Sequence, residues 1–352
     1  MRSRGTDLLR WGSAAVAIAI AFCALTFAQS NPLPQQPATA NPAPPAAQPA
    51  VSIQEEPSQE STGQQPAGQE VTGEDSGRFV FRKEVEEVVL HATVVDQTGR
   101  LVTNLDRGAF SVFQNGAPEQ ITSFHREDVP VAMGIVIDNS GSMRDKRAKV
   151  NQAVLNLIRA SNPEDEIFVV NFSQNSYLDQ DFTSDVSLLQ AALHQASTRG
   201  STALYDAVVA SAVHLRNNPR LTKKVLLVIT DGQDNMSRET LQEAMRQLQP
   251  SQGPTLYAIG LTDEGLTRSG RDALQTLATA TGGVAFLSQS LDEVDAITRT
   301  VAHDIRSQYT LAYKPGGPRT GYQTIRVEAR VPGNARLTVR TRNGYYPGEK
   351  VR

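Results

Sequence analysis

The stretch Val131–Met143 reads VAMGIVIDNSGSM, and it gives the clearest indication of the fold. Its first part, from Ala132 to Ile137, is apolar, and the polar residues DNSGS follow. A short apolar run closed by turn residues predicts a buried strand. Small and β-branched residues suit a parallel strand that is covered on both faces. The strand therefore ends in a loop that carries oxygen-bearing side chains at alternate positions, namely Asp138, Ser140 and Ser142.

The residues from 130 to 306 repeat this pattern of strand followed by helix. Helices with apolar residues at 3.6-residue spacing separate most of the strands, so we expect right-handed crossovers and a mostly parallel, doubly wound α/β sheet with helices on both faces. The expected strand order is 3-2-1-4-5-6, in which the first and fourth strands are neighbours and ligands bind outside their carboxyl ends. The six predicted strands are 132–138, 166–172, 180–183 (a short edge strand), 225–230, 256–261 and 284–287.

Two further stretches bring polar residues to that edge of the sheet. The run KKVLLVITD, Lys223–Asp231, ends the fourth strand on an aspartate, and the triplet Gly-Ser-Thr before residue 203 opens a helix. Hydroxyl and carboxylate oxygens are hard ligands, which suit Mg²⁺ or Mn²⁺ far better than zinc. The oxygen-bearing residues that these three stretches bring to the edge are Asp138, Ser140, Ser142, Thr202 and Asp231.

The order Asp-x-Ser-x-Ser, then a distant Thr, then a distant Asp resembles the metal-ion-dependent adhesion site (MIDAS) of von Willebrand factor A (VWA) domains. The resemblance implies that Ser140, Ser142 and Thr202 bind the metal directly. It also implies that Asp138 and Asp231 bind it directly or through water. Other α/β families fit less well, because no G-x-G-x-x-G or G-x-S-x-G motif frames the first strand and serine stands at position 140, where an Asp-x-Asp phosphatase needs aspartate.

The flanks of this domain are rich in predicted strands. A β-rich run covers Val85–Val95, and Phe110–Phe113 enters a hairpin at Asn115-Gly116, with Ile121–Phe124 as its returning strand. Three more strands follow residue 308. Because each flank is too short to be stable alone, we expect residues 78–129 and 307–348 to pair into one small β-sandwich, with the VWA-like domain, 130–306, inserted between them.

This organisation, with a tail that ends in Asn343-Gly344-Tyr345-Tyr346, resembles the bacterial VWFA-related family of acidobacterial type. The resemblance runs from about Val85 to Tyr346. That family has no assigned reaction, so the resemblance implies metal-dependent binding and nothing more specific.

The N-terminus predicts export. Three arginines precede an apolar run, Trp11–Leu25, that is short for a spanning helix, so residues 1–28 read as a signal peptide, with an uncleaved membrane anchor as the alternative. The only cysteine, Cys23, lies in that run, so the mature chain would hold no disulfide. Residues 29–77 are rich in proline and contain no aromatic residue, lysine or arginine, which predicts a disordered linker. We expect a secreted, periplasmic or cell-surface protein.

Smaller features give further expectations. The net charge of −3 provides no nucleic-acid-binding signature. We interpret the four cations that follow Ser142, at positions 144, 146, 147 and 149, as a solvated face, with a rim that attracts an acidic ligand as the alternative. We interpret Asp206 as a structural residue at a helix start. Ser184 is predicted to cap a helix, and Ser290–Glu293 reads as a capping box.

Three functions remain open. The favoured one is an exported binding module, not an enzyme, in which Mg²⁺ or Mn²⁺ captures an acidic residue of a protein partner. A structural module is the alternative, with the metal only tying two loops together. A metal-dependent hydrolase is less favoured, because no histidine or second carboxylate pair flanks the motif as a general base.

Overall fold

Fourteen strands and six helices form the part of the chain that the computed structural model describes. The described residues are 87–126, 128–195, 198–218, 220–262, 266–317, 320–331 and 337–348. The predicted signal peptide and linker lie outside them. No helix among the described residues has the length and hydropathy needed to cross a membrane.

The strands in chain order are β1 Val88–Val95, β2 Phe110–Gln114, β3 Ala117–Glu119, β4 Ile121–His125, β5 Val131–Asp138, β6 Glu166–Phe172, β7 Ser176–Thr183, β8 Lys223–Thr230, β9 Thr255–Leu261, β10 Ala285–Ser288, β11 Tyr309–Tyr313, β12 Gln323–Ala329, β13 Thr338–Arg340 and β14 Gly344–Tyr345. The helices are α1 Arg147–Arg159, α2 Val186–Gln195, α3 Leu204–Asn217, α4 Leu241–Leu248, α5 Arg268–Thr281 and α6 Val294–Arg306.

The central sheet has six strands in the order β10-β9-β8-β5-β6-β7. This order confirms the predicted arrangement, in which β5 and β8 are neighbours at the point where the winding reverses. All pairs are parallel except β6 and β7. The edge strand β7 begins at Ser176, earlier than predicted. It pairs antiparallel with β6, because the connection of residues 173–175 is too short for a crossover and permits only a hairpin.

Strand β5 lies between two apolar layers, one on each face of the central sheet. All of its residues are buried. Its side chains alternate between the faces of the sheet, so that Met133, Ile135 and Ile137 pack with residues of α1, α2 and α6. Ala132 and Val136 pack instead with residues of α3, α4 and α5. The domain is therefore doubly wound, with helices on both faces.

The two flanks together form the predicted β-sandwich. One sheet has the order β13-β1-β11-β4 and the other has the order β14-β12-β2-β3, so each combines strands from before and after the central domain. The two sheets share one buried core, which includes Leu90, Phe110, Tyr309 and Val327.

The hairpin at Asn115-Gly116 differs from the prediction. Both turn residues have positive φ, 51° and 82°, as a tight two-residue turn requires. The turn places Gln114 opposite Ala117, so the returning strand is β3. Residues 121–125 belong to the other sheet, where β4 pairs with β11.

One predicted helix cap is wrong, and the capping box predicted at Ser290–Glu293 is only half formed, since the Ser290 side chain accepts the Asp292 N–H at 3.2 Å. The helix α2 is capped by Asp185 rather than Ser184, because the Asp185 carboxylate accepts the N–H of Ser187 at 2.8 Å. At the start of α6, the carboxylate of Glu293 accepts the Ser288 hydroxyl at 2.7 Å. Since that carboxylate does not reach back to the Ser290 N–H, the segment forms no complete capping box.

Candidate metal-ion site

Three loops at one edge of the central sheet hold the five candidate ligands. Asp138 is the last residue of β5, and Asp231 directly follows β8. These strands pair in parallel, with Ile137 opposite Ile229, so their carboxyl ends are adjacent. Ser140 and Ser142 lie in the loop after β5, and Thr202 lies just before α3.

Hydrogen bonds connect four of the five side chains in a continuous chain. The Ser140 N–H donates to Asp138 Oδ1 at 2.8 Å. The hydroxyl oxygens of Ser140 and Ser142 are 3.1 Å apart, and the Ser142 hydroxyl donates to Asp231 Oδ1 at 2.8 Å. The structure therefore brings together the Asp-x-Ser-x-Ser segment and the distant aspartate, as the sequence pattern predicts.

Thr202 joins this group next to Gly232. A Cβ atom placed at Gly232 would lie 3.1 Å from Thr202 Oγ1 and 3.8 Å from Asp138 Oδ2. The hydroxyl and the carboxylate therefore approach the same point of the backbone, and any larger residue at position 232 would crowd both. Glycine thus leaves room beside the two oxygens.

The donor set fits a hard divalent cation. It offers three hydroxyls and two carboxylates, and such oxygen ligands suit Mg²⁺ or Mn²⁺. Asp138, Ser140, Thr202 and Asp231 are buried, whereas Ser142 is exposed, so the group is open to solvent on one side. The described residues contain no metal-binding cluster of three or more histidine, cysteine, aspartate and glutamate side chains.

The two carboxylates stand in an environment that favours a nearby cation. Burial raises the pKa of the Asp138 carboxyl, hydrogen bonds from Thr230 and Ser140 act in the opposite direction, and the charge of Asp231 raises that pKa further. The Thr230 hydroxyl donates to Asp138 Oδ2 at 2.5 Å. Two buried like charges repel each other. Lys146 offsets the charge of Asp231 in part, and a divalent cation held by both aspartates would relieve the remaining repulsion.

Lys146 is the main residue of the site that sequence reasoning missed. Its Nζ lies 2.6 Å from Asp231 Oδ2, and its side chain is only 12% exposed. The neighbouring Arg147 is also buried, and its Nη2 donates to Asn171 Oδ1 at 2.8 Å. The interpretation of these cations as a solvated face is wrong for both residues, although it holds for Arg144 and Lys149, which are exposed. Helical spacing places Lys146 one turn after Ser142, but the direction in which the Lys146 side chain points depends on how α1 packs.

The loop after Asp231 holds Thr202 in place. Asn235 accepts the Thr202 N–H on its Oδ1 at 3.0 Å, and its own N–H donates to the Thr202 carbonyl at 3.0 Å. No side chain of α3 caps the first turn of that helix. The same loop supplies the acceptors: Asp234 Oδ1 accepts the Tyr205 N–H at 3.3 Å, and the Ser237 hydroxyl oxygen accepts the Asp206 N–H at 3.1 Å.

The carboxylate of Asp206, in α3, in turn accepts the N–H groups of Arg238 and Glu239 in the same loop. This agrees with its interpretation as a structural residue. No sequence motif marked Asn235, Asp234 or Ser237, since each acts on a helix some thirty residues away in the chain.

Residues 133–233, which contain all five candidate ligands, match the family model of the von Willebrand factor type A domain. No curated protein matches the chain.

Several solved structures are similar. Proximal thread matrix protein 1 from the mussel byssus has 18% identity and a TM-score of 0.44 over 51% of this chain and 48% of that one. A structure of the same protein with a zinc-occupied MIDAS motif has 17% identity and a TM-score of 0.46, over 55% and 50% of the two chains. A von Willebrand factor type A structure from Catenulispora acidiphila has 14% identity and a TM-score of 0.44, over 74% and 73%. The chain thus spans about half the length of the mussel protein.

The family match begins in β5 and ends just after Gly232, so it covers both strands that carry the candidate aspartates. The strand order and the position of the site at the switch point agree with it. The chain therefore contains a von Willebrand factor type A domain.

Proposed function

We propose that this protein is an exported binding module that uses Mg²⁺ or Mn²⁺ to capture an acidic residue of a protein partner. The observation that carries the proposal is the meeting of five oxygen-bearing side chains at the switch point of the sheet. Four of them are buried, and the exposed Ser142 marks the side from which a partner has access. A fold alone does not establish a function, so the proposal depends on this group of side chains.

The five side chains have separate roles in this proposal. Ser140, Ser142 and Thr202 hold the metal directly, and Asp138 and Asp231 hold it directly or through water. A bound divalent cation supplies a positive charge that the hydroxyl ligands do not neutralise. A carboxylate matches that charge and offers a hard oxygen, and for this reason we propose an acidic side chain as the ligand.

We propose binding rather than catalysis because of what contacts the ligands. Within the described residues, the further side chains hydrogen-bonded to them belong to Thr230, Lys146 and Asn235. A threonine hydroxyl, an asparagine amide and a lysine in an ion pair do not form the histidine or carboxylate general base that hydrolysis would need. Export is proposed from residues 1–28 and the linker that follows them.

Metal binding is tested by thermal unfolding of the full chain with and without Mg²⁺. A ligand that binds only the folded state raises the melting temperature, and we expect this rise for the wild type and its loss in Asp138→Ala. An equal rise in the mutant would show that the site is misassigned. A metal that stabilises the protein without affecting any partner would favour the structural module, and turnover of an ester or peptide would favour the hydrolase.

Partner capture is tested with a matched pair of substitutions at Thr202. Losing one direct ligand should weaken Mg²⁺-dependent capture from cell-surface and secreted extracts by about tenfold or more, equivalent to ~1.4 kcal/mol. Thr202→Ala is expected to show this loss, and Thr202→Ser, which keeps the hydroxyl, should retain most of the binding. Equal capture by wild type and a folded Thr202→Ala variant would rule out this role for Thr202.

A further inference from the structure

A polar cavity lies at the end of the central sheet opposite the candidate metal site. It has a volume of about 300 Å³ and is lined by the first residues of β8 and β9, by β1, and by residues 251–253. Because β8 and β9 run in parallel from this cavity toward Asp231, the two sites are separated by the length of the strands. The cavity is far larger than a single bound water requires and falls in the size range of small-molecule sites.

Three cations line this cavity: Arg216, Lys224 and Arg342. Among the described residues, none of the three has a carboxylate oxygen within 4.0 Å. Lys224 is 5% exposed, and its Nζ donates to the Arg216 carbonyl at 3.4 Å. A buried cation without a counter-charge is costly.

Neutral acceptors hold the two arginines in fixed positions. The Arg342 guanidinium donates to the carbonyls of Pro250 and Ser251 at 2.8 Å and of Gly253 at 2.9 Å. Arg216 donates to the side-chain oxygen of Gln247 at 2.8 Å. These bonds orient the guanidinium groups but leave their charges uncompensated, so the positive potential of the cavity remains.

One of these cations, Arg342, also acts on a histidine of the lining. His91 also lines the cavity, and burial together with the charges of Lys223 and Arg342 lowers its pKa to about 3. One carboxylate, that of Glu87, lies on the lining, and its Oε1 accepts the Thr122 hydroxyl at 2.6 Å. His91 is therefore neutral at ordinary pH, and the cavity carries a net positive charge.

The remaining lining adds hydrogen-bonding and apolar surface. Thr222, Thr255 and Ser251 lie around the cavity, and so do the apolar residues Val89 and Leu221. Charge-assisted hydrogen bonds from lysine and arginine to oxyanions are stronger than neutral ones. We propose that this cavity binds a small molecule that bears an oxyanion, either a phosphate or a carboxylate, against Lys224, Arg216 and Arg342.

The test uses the full chain in metal-free buffer at constant ionic strength. Inorganic phosphate and succinate are titrated separately, and binding is measured by calorimetry and by the rise in melting temperature. A saturable response is expected for at least one of them, and the one that saturates at lower concentration identifies the preferred oxyanion. Lys224→Gln should weaken that binding by about tenfold or more. Lys314→Gln is the matched control, because Lys314 is exposed and lies outside the cavity and its loss changes the net charge equally.

Three outcomes would overturn the proposal: no saturable response beyond that to chloride at equal ionic strength, unchanged binding by a folded Lys224→Gln variant, or equal weakening by Lys314→Gln. If Lys224→Gln does not fold, Arg216→Gln replaces it. Hydrogen exchange of the wild type needs no substitution at all. The preferred anion should slow exchange of the amides at 222–224 and 251–253 but not at 138–142, and the reverse pattern would contradict the assignment.

Discussion

Lys146 sets the charge balance of the candidate metal site. Its ammonium group lies 2.6 Å from one oxygen of Asp231, while the other oxygen of that carboxylate accepts the Ser142 hydroxyl at 2.8 Å. The Asp231 side chain is fully buried and that of Lys146 is only 12% exposed, so solvent screens their attraction weakly. A divalent cation that binds to Asp231 must therefore compete with the ammonium group of Lys146.

The substitution Lys146→Met should tighten Mg²⁺ binding. It removes a competing cation but keeps most of the aliphatic packing, and we expect affinity to rise by about tenfold, equivalent to ~1.4 kcal/mol, as measured by calorimetry. Lys149→Met is the control, because Lys149 is exposed and pairs with Asp292 away from the site. Weaker or unchanged Mg²⁺ affinity in Lys146→Met would contradict a competing role.

His91 should make the folded state sensitive to acid. Its pKa is lowered from 6.5 to about 3 in the folded protein, first by burial and then by the charges of Lys223 and Arg342. The unfolded chain therefore binds a proton between these two values while the folded chain does not. Since stability rises with pH wherever the unfolded state binds more protons, the contribution of His91 is complete above pH 6.5 and is lost progressively as the pH falls toward 3.

The predicted loss is about 1.4 kcal/mol of unfolding free energy for each pH unit inside that window. Urea unfolding at pH 7 and pH 5 measures it. His91→Gln should remove this part of the pH dependence. If the slopes of wild type and His91→Gln coincide, His91 does not couple protonation to folding.

At the scale of elements, the central strand β5 depends on one glycine. A Cβ atom at Gly134 would overlap the ring of Phe168 and would lie 2.8 Å from Leu226 Cδ1. Phe168 lies on the neighbouring strand β6 and is fully buried. The glycine thus lets an aromatic ring pack against the backbone of β5, close to the middle of the sheet.

Gly134→Ala should therefore destabilise the domain by overpacking, at a cost of about 1–3 kcal/mol. The measurement is the midpoint of urea unfolding, and a lower midpoint with an unchanged slope is expected. Gly108→Ala is the matched control, because a Cβ atom there meets nothing within 4 Å. A midpoint within experimental error of wild type for Gly134→Ala would mean that Phe168 relocates at no cost.

At the scale of the whole molecule, a polar network joins the α/β domain to the β-sandwich. The Tyr257 hydroxyl donates to Asp304 Oδ2 at 2.9 Å, and Arg340 Nη2 donates to the other oxygen of Asp304 at 3.0 Å. Gln308 Nε2 donates to the Tyr257 hydroxyl at 3.2 Å. Since buried polar groups must keep their partners, the strands after α6 support the domain that precedes them.

Truncation after Ile305 should abolish cooperative folding. It removes β11 from between β1 and β4 and takes Arg340 away from the buried Asp304. The loss of one partner leaves an uncompensated buried charge, which typically costs about 3–5 kcal/mol. Circular dichroism during heating of residues 79–305 provides the measurement. If this fragment stays soluble and melts as sharply as the full folded region, the two flanks do not depend on each other.

Much of the architecture was predictable from the sequence alone. Apolar runs that end on Asp138 and Asp231, separated by helical periodicity, predicted the six strands and their order. The prediction is possible because burial and strand length can be read from local sequence patterns. The handedness of crossovers then restricts the strands to a few possible topologies. The resemblance to the metal-ion-dependent adhesion site implied that Ser140, Ser142 and Thr202 would lie beside the two aspartates, and these side chains do lie close together in the structure.

Other features depended on tertiary structure. The hydrophobic pattern of Ile121–His125 showed a strand but not which sheet it joins. The spacing of Lys146 and Arg147 did not show that both turn inward, because the direction of a charged side chain depends on the packing of its helix against other elements. Arg216, Lys224 and Arg342 lie far apart in the chain and meet in one cavity only after folding. Contacts between distant residues depend on how the elements pack, and one local sequence pattern is compatible with several such packings.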